Sequence, residues 1–138
     1  MLEIMLKCDL SSFKDDKKED FLINIGNLTF IGEIKGVTSN IKSEHISQLE
    51  VHYQGYMDIK SSESENVKAI LIINHQRTQR LSERQEVHNT QIKLAERNGS
   101  LIIETSTLLR LFEAFIKKDF TVDQIINIFC KSQGLLKI

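Results

Sequence analysis

The sequence has no excess charge of one sign, few cysteines and no long apolar run. Its 138 residues carry a formal net charge of −1 at pH 7, so any surface for a polyanion has to be local. Cys8 and Cys130 lie far apart in no metal-ligand spacing, which argues against a disulfide framework or a zinc site. With no secretory signal or membrane-length apolar stretch either, we expect a cytoplasmic protein without a membrane partner.

The residues that are present suffice for one packed domain. Hydrophobic residues make up 41% of the chain, and the length predicts a single domain over residues 1–138. A continuous apolar run from Ala69 to Ile73 fits a strand buried on both faces, and the helical pattern before it favours a parallel crossover. Helical and strand patterns alternate along the chain, which predicts an α/β fold with a mixed central sheet flanked by helices.

The stretch from Asp20 to Lys35 predicts a β-hairpin with one apolar and one polar face. Two apolar-rich runs, 21–25 and 28–34, flank Gly26-Asn27, which has the size and composition of a two-residue turn. In that register Asp20 lies opposite Glu33, and Lys35 points to the same side because side chains alternate along a strand. The apolar face is then formed by Phe21, Ile23, Ile25, Leu28, Phe30 and Ile34.

Two carboxylates on one face call for a compensating positive charge, unless one of them is protonated. Asp20, Glu33, the backbone carbonyl of Ile34 and waters would suit Mg²⁺, with Mn²⁺ as a substitute. Lys35 would orient the attacking water or stabilise negative charge on a phosphate oxygen. The alternative is a hairpin whose last polar residues are simply solvated, and a slip of one residue in register would move Asp20 to the opposite face.

Asp20, followed thirteen residues later by Glu33-Ile34-Lys35, resembles the D…(D/E)xK motif of the PD-(D/E)xK nuclease superfamily. That superfamily includes type II restriction enzymes, archaeal Holliday-junction resolvases and RecB-like nucleases. The resemblance covers most of the chain and implies a restriction-endonuclease-like αβββαβ core with extra C-terminal helices. It also implies that Asp20 and Glu33 bind the metal and that these two residues and Lys35 are catalytic.

The chain departs from the superfamily pattern near its start. Glu19 stands where the superfamily name has proline, and the usual first helix is nearly missing. The short opening helix leaves open that the chain lacks an N-terminal helix, or that it is the nuclease part of a larger restriction or defence protein with a fused or separate partner domain. In the opening helix, Glu3 is the acidic residue that could contribute to the metal site. The alternative hypothesis is that Glu3 is a surface residue.

A helix from Ser43 to about Asp58 is predicted to cover the sheet, with Ser43 as its cap. Gln48 and His52 lie four residues apart on it, so both would project toward the ends of the Asp20 and Glu33 strands. Many RecB-like nucleases carry a Gln followed by Tyr four residues later at this place, and by this resemblance Gln48 is a candidate catalytic contact to water or phosphate. His52 stands where the Tyr would be. The alternative is that both are solvated helix residues.

The segment from Asn74 to Arg84 leaves the buried strand at the end where open α/β sheets often place their sites. Arginine offers bidentate geometry to phosphate oxygens. The candidate nucleic-acid-binding residues of this segment are His75, Arg77, Arg80 and Arg84. The alternative is an ordinary charged loop, since Glu83 and Glu86 lie nearby.

The C-terminal third predicts three helices and one short strand. Gly99 should end a helix that begins near Asn89, Thr105 or Thr107 should cap the next, and Thr121 with Gln124 forms a capping-box pattern. The last two helices are rich in apolar residues, which suggests either a two-fold homodimer, able to cut both DNA strands, or helices that close the core.

These patterns and the resemblance together predict a divalent-metal-dependent nuclease that hydrolyses phosphodiester bonds, with DNA as the expected substrate and partner. The competing hypothesis is a catalytically inactive module that keeps the nuclease fold and serves nucleic-acid binding or assembly in a restriction or defence system, because a fold does not guarantee an activity.

Overall fold

A five-stranded mixed sheet runs through the part of the chain that the computed structural model describes, residues 1–7, 20–60 and 66–138. The strands lie side by side in chain order: β1 (Phe21–Ile25), β2 (Leu28–Gly36), β3 (Asn66–Asn74), β4 (Leu101–Glu104) and β5 (Gly134–Leu135). β1 is antiparallel to β2, and the other neighbours are parallel. The helices are α1 (Leu2–Leu6), α2 (Ser43–Lys60), α3 (Asn89–Asn98), α4 (Thr105–Ile116) and α5 (Val122–Lys131).

The α/β class and the mixed sheet with flanking helices are confirmed. β3 is the central strand and runs parallel to β2, as its apolar run and the preceding helix predict. Within the described residues two strands precede α2. The sequence also predicts a short strand at Leu10 to Phe13, which lies outside the described residues, as does Cys8. The αβββαβ order of a restriction-endonuclease core therefore stays a prediction.

The hairpin forms in the predicted register. β1 and β2 pair from Phe21–Gly32 to Ile25–Leu28, and Gly26 adopts a φ of 60°, which suits the tight turn. The ring of Phe21 lies over Gly32, where a Cβ atom would be 2.0 Å from the ring carbon Cζ. Gly32 therefore lets the aromatic ring cross β2 directly beside Glu33.

Both faces of the sheet are buried, so the predicted polar face of the hairpin is covered as well as its apolar face. Phe21, Ile23 and Phe30 belong to the core on the α4 and α5 side, whereas Ile31 belongs to a second core that includes α2. Glu33 lies on the same side of β2 as Ile31 and is only 3% exposed. Ile34, expected on the apolar face, is 50% exposed instead, because it stands near the end of the strand.

The helix ends follow local sequence at two places and depart from it at a third. Gly99 ends α3 in the left-handed conformation with a φ of 73°, and Thr121 and Gln124 form the predicted capping box of α5. The cap predicted for α4 is wrong, because its first turn has no side-chain cap. β4 runs straight into α4, and the Thr105 hydroxyl donates a hydrogen bond to the Ile73 carbonyl at 2.8 Å.

The last two α-helices close the core on one side of the sheet. Leu108, Leu111, Ile125 and Phe129 are buried there, and Phe112, Phe115, Ile126 and Ile128 pack against the same core while partly buried. Leu109 and Ile116 remain 52% and 58% exposed, and the homodimer stays a prediction. None of the helices described is both long enough and apolar enough to cross a membrane.

Candidate functional site

Asp20 closes the β1–β2 ladder with its side chain. The regular pairing ends at Phe21–Gly32, and the Asp20 amide donates to the Gly32 carbonyl at 2.9 Å. The predicted Asp20–Glu33 pair is therefore not part of the ladder. The Asp20 Oδ2 atom instead accepts a hydrogen bond from the Ile34 amide at 2.7 Å. The carboxylate thus replaces the backbone carbonyl that a longer β1 would have offered, which fixes it beside the last residues of β2.

Glu33 is a buried carboxylate with two basic neighbours. Its Oε2 atom lies 3.5 Å from Lys35 Nζ, and its Oε1 atom contacts the Nδ1 atom of His52. Lys35 follows two residues later on the same face of β2, and His52 reaches across from α2. A buried charge is costly unless it is compensated. Lys35 thus supplies part of the positive charge that two neighbouring carboxylates require.

Hydrogen bonding at Glu33 and His52 is nevertheless incomplete. Among the described residues, three buried side-chain atoms have no hydrogen-bond partner: Glu33 Oε2, His52 Nδ1 and Glu50 Oε2. The first two belong to this site, where Glu33 contacts Lys35 and His52 without forming a hydrogen bond to either. Buried polar atoms in folded proteins are nearly always satisfied, so such atoms call for an explanation.

The packing of α2 selects His52 over Gln48 as the neighbour of Glu33. Ile46 and Leu49 are buried against the sheet and set the rotation of the helix. His52, one turn after Leu49, then lies at the edge of the buried stripe with its side chain 14% exposed. Gln48 lies on the exposed side. The sequence placed both residues near the strand ends but could not fix the rotation of α2.

His45 is a second histidine of α2 near this end of β2. Its Nδ1 atom accepts a hydrogen bond from the Lys42 amide at 3.0 Å, which places the proton of the neutral ring on Nε2. Burial lowers the pKa of His45, and the charges of Lys35 and Lys42 lower it further, while Glu44 opposes them. His45 therefore favours the neutral form.

The loop after β3 is held together by its own candidate residues. His75 is buried, and its Nε2 atom lies 2.8 Å from the Gln85 carbonyl oxygen. Arg84 donates from all three guanidinium nitrogens, to the Gln79 carbonyl, to Asn74 Oδ1 and to the Arg77 carbonyl. Both side chains thus have structural partners within the loop, and phosphate binding by this segment stays a prediction.

Arg77 and Arg80 are exposed. The Arg77 amide donates to the Val37 carbonyl at 3.1 Å, which ties the loop to the chain just after β2. A Cβ atom at Gly36 would lie 3.8 Å from Arg77 Cδ. The Arg77 side chain therefore passes close to the end of the strand that carries Glu33 and Lys35.

The described residues contain no group of three or more His, Cys, Asp or Glu side chains arranged to hold a metal ion. Glu3 is exposed on α1, which agrees with the alternative hypothesis that it is a surface residue. A metal near the end of β2 would rest on few side chains, with the Ile34 carbonyl, solvent or substrate completing its shell, as Mg²⁺ sites that bind phosphates commonly do. Glu33 Oε2, buried and without a hydrogen bond, is an oxygen of the type such an ion requires.

Comparisons with models of known protein families, with curated protein sequences and with solved structures found no match for this chain.

Proposed function

We propose that the protein is a divalent-metal-dependent nuclease that hydrolyses phosphodiester bonds, with DNA as its substrate. The observation that carries the proposal is Glu33, a carboxylate 3% exposed whose Oε2 atom has no hydrogen bond. It stands beside a lysine near the carboxyl end of a parallel strand. The D…ExK spacing and its resemblance to the PD-(D/E)xK nucleases add the reaction class.

Glu33, Asp20 and the Ile34 carbonyl would hold the metal. Asp20 Oδ2 is engaged by the Ile34 amide, so the other carboxylate oxygen would be the one to bind an ion. A bound divalent cation would supply Lewis-acid activation of the phosphodiester. Two carboxylates and a carbonyl are hard oxygen donors, which is the donor set that Mg²⁺ and Mn²⁺ take in phosphate chemistry.

Lys35 supplies a positive charge next to the reacting group. Its side chain is 27% exposed, and its ammonium lies 3.5 Å from Glu33 Oε2, so it can contact both the carboxylate and a phosphate at the surface. In this position it orients the attacking water and stabilises charge that develops on the phosphate oxygens. Arg77, whose side chain passes Gly36, would hold a neighbouring phosphate of the strand.

The competing function is a non-catalytic nucleic-acid-binding or assembly module. The observation that favours it is the contact of Glu33 with both Lys35 and His52, which gives the carboxylate two basic neighbours without any metal. In that case the polar groups near the end of β2 would stabilise the fold alone, and titration with Mg²⁺ or Mn²⁺ would give no binding.

The proposal is tested by incubating the purified protein with linear, supercoiled circular and single-stranded DNA in Mg²⁺, in Mn²⁺ and in chelator. We expect cleavage with either metal and none with chelator, and Lys35→Ala should be inactive in both metals. A matched control is Lys42→Ala, which removes an exposed lysine just before α2. No cleavage of any substrate by the wild-type protein would overturn the proposal.

A further inference from the structure

We propose that His52 is a direct ligand of the cation and that the Glu33–His52 pair gives the site a preference for Mn²⁺ and later transition metals over Mg²⁺. The inference rests on the proposed function only for the location of the cation near the end of β2. Its own basis is the arrangement of His52 against Glu33, which the D…ExK motif does not include.

The two side chains face each other from different elements and neither is satisfied. His52 Nδ1 contacts Glu33 Oε1, and Nδ1 is one of the buried atoms without a hydrogen-bond partner. Glu33 Oε2 is another. An imidazole nitrogen and a carboxylate oxygen both offer lone pairs, so a cation bound by both groups would satisfy these atoms together.

The packing around the pair holds it in place before any ligand arrives. Glu33 is 3% exposed and follows Gly32, over which the Phe21 ring lies. His52 is held by α2, whose Ile46 and Leu49 are 1% exposed against the sheet. Both side chains therefore project from packed elements instead of loops, which is the condition for a preorganised site.

The nitrogen donor decides the preference among metals. Mg²⁺ takes oxygen ligands almost exclusively, whereas imidazole suits the first-row transition metals, and affinity for an N/O site rises from Mn²⁺ toward Cu²⁺. Without His52, Glu33 and the Ile34 carbonyl together with solvent would give Mg²⁺ an all-oxygen site. Adding His52 strengthens the binding of Mn²⁺ and Co²⁺ without an equal gain for Mg²⁺.

The test measures metal affinity directly, by calorimetric titration of the metal-free protein with Mg²⁺, Mn²⁺ and Co²⁺. We expect His52→Gln to weaken Mn²⁺ and Co²⁺ binding by about 10-fold or more and to change Mg²⁺ binding by much less. The matched control is His45→Gln, because His45 lies on the same helix, two turns earlier, with its Nδ1 atom engaged by Lys42. Equal affinities in wild type and His52→Gln, or equal losses for all three metals, would overturn the inference.

A second readout does not require a variant to fold. In the ¹⁵N-labelled wild-type protein, adding diamagnetic Zn²⁺ should shift the His52 ring nitrogen resonances and leave those of His45 in place. Unshifted His52 resonances at a Zn²⁺ concentration that saturates the protein would contradict direct ligation.

DNA cleavage in the same samples separates this inference from the proposed function. A protein that binds Mn²⁺ through His52 and cuts no DNA would overturn the nuclease proposal and support the ligand role. A protein that cuts DNA with Mg²⁺, with metal affinities that do not change in His52→Gln, would overturn the ligand role alone.

Discussion

The end of β2 and the loop after β3 hold the same kinds of residue, a histidine with basic and acidic neighbours, yet they use them differently. In the loop, His75 and Arg84 contact backbone carbonyls and an amide side chain, and their hydrogen bonds are well aligned. At β2, Glu33 and His52 contact each other, but Glu33 Oε2 and His52 Nδ1 have no hydrogen bond. The two regions thus have similar composition, and the unsatisfied buried atoms of Glu33 and His52 make the end of β2 the place where we expect a ligand.

The largest effect that we expect is on the DNA cleavage rate, when Glu33 at the end of β2 is replaced. Glu33→Gln keeps the shape of the side chain but removes its charge, so we expect DNA cleavage to fall by about 100-fold or more with the far-ultraviolet circular dichroism unchanged. Glu44→Gln, an exposed acid in the first turn of α2, is the matched control and should keep the wild-type rate. Wild-type cleavage by Glu33→Gln would remove this carboxylate from the mechanism.

The next effect distinguishes a structural arginine from an exposed one. Arg84→Ala removes hydrogen bonds to Asn74, Gln79 and the Arg77 carbonyl, so we expect the free energy of unfolding to fall by about 1–3 kcal/mol. Arg80→Ala, which removes an exposed arginine of the same loop, should change it by less than about 0.5 kcal/mol. Urea denaturation of the two variants makes the comparison, and equal stabilities would mean that the Arg84 bonds contribute nothing net.

A smaller effect is expected on nucleic-acid affinity. Replacing both Arg77 and Arg80 with alanine should weaken DNA binding for all sequences, because each phosphate that an arginine neutralises contributes about 0.9 to the slope of log affinity against log salt. Binding is measured by fluorescence anisotropy at several salt concentrations with chelator present. If the double variant keeps the wild-type slope, the loop is a charged surface and the DNA path lies elsewhere.

The smallest effect concerns His45, whose pKa is lowered in the folded protein by burial and by the charge of Lys35. The unfolded chain therefore binds more protons than the folded one near this pKa, so this residue makes stability rise with pH up to the unfolded value of about 6.5. His45→Gln should flatten that part of the curve of unfolding free energy against pH. An unchanged curve between about pH 5 and 7 would show that His45 titrates alike in both states.

The sequence predicts those features that follow from short-range patterns. The alternation of apolar residues on both sides of Gly26-Asn27 predicts the hairpin register, and the apolar run predicts the central strand. Gly99 and Thr121 predict two helix ends. The near-complete burial of Glu33 is not predictable in this way, because it depends on how closely α2 packs over the face that Glu33 shares with Ile31. A strand that is polar only toward its end can still be covered by a helix.

The features that sequence misses depend on contacts between distant elements. Asp20 leaves the ladder because its side chain reaches the Ile34 amide, an interaction that competes with one more backbone pair. His52 contacts Glu33 because Ile46 and Leu49 set the rotation of α2. Each outcome depends on a competition among partners that residue spacing alone does not decide.

The central claim, that the unsatisfied groups near the end of β2 form a cation site, is tested most directly by paramagnetic relaxation. Mn²⁺ is titrated at substoichiometric amounts into the ¹⁵N-labelled protein, and the decrease of backbone amide signal is measured along the chain. We expect broadening centred on Ile34, Lys35 and His52, and we expect it to disappear in Glu33→Gln. Broadening that is absent, or that is centred on the loop from His75 to Glu86, would contradict the claim.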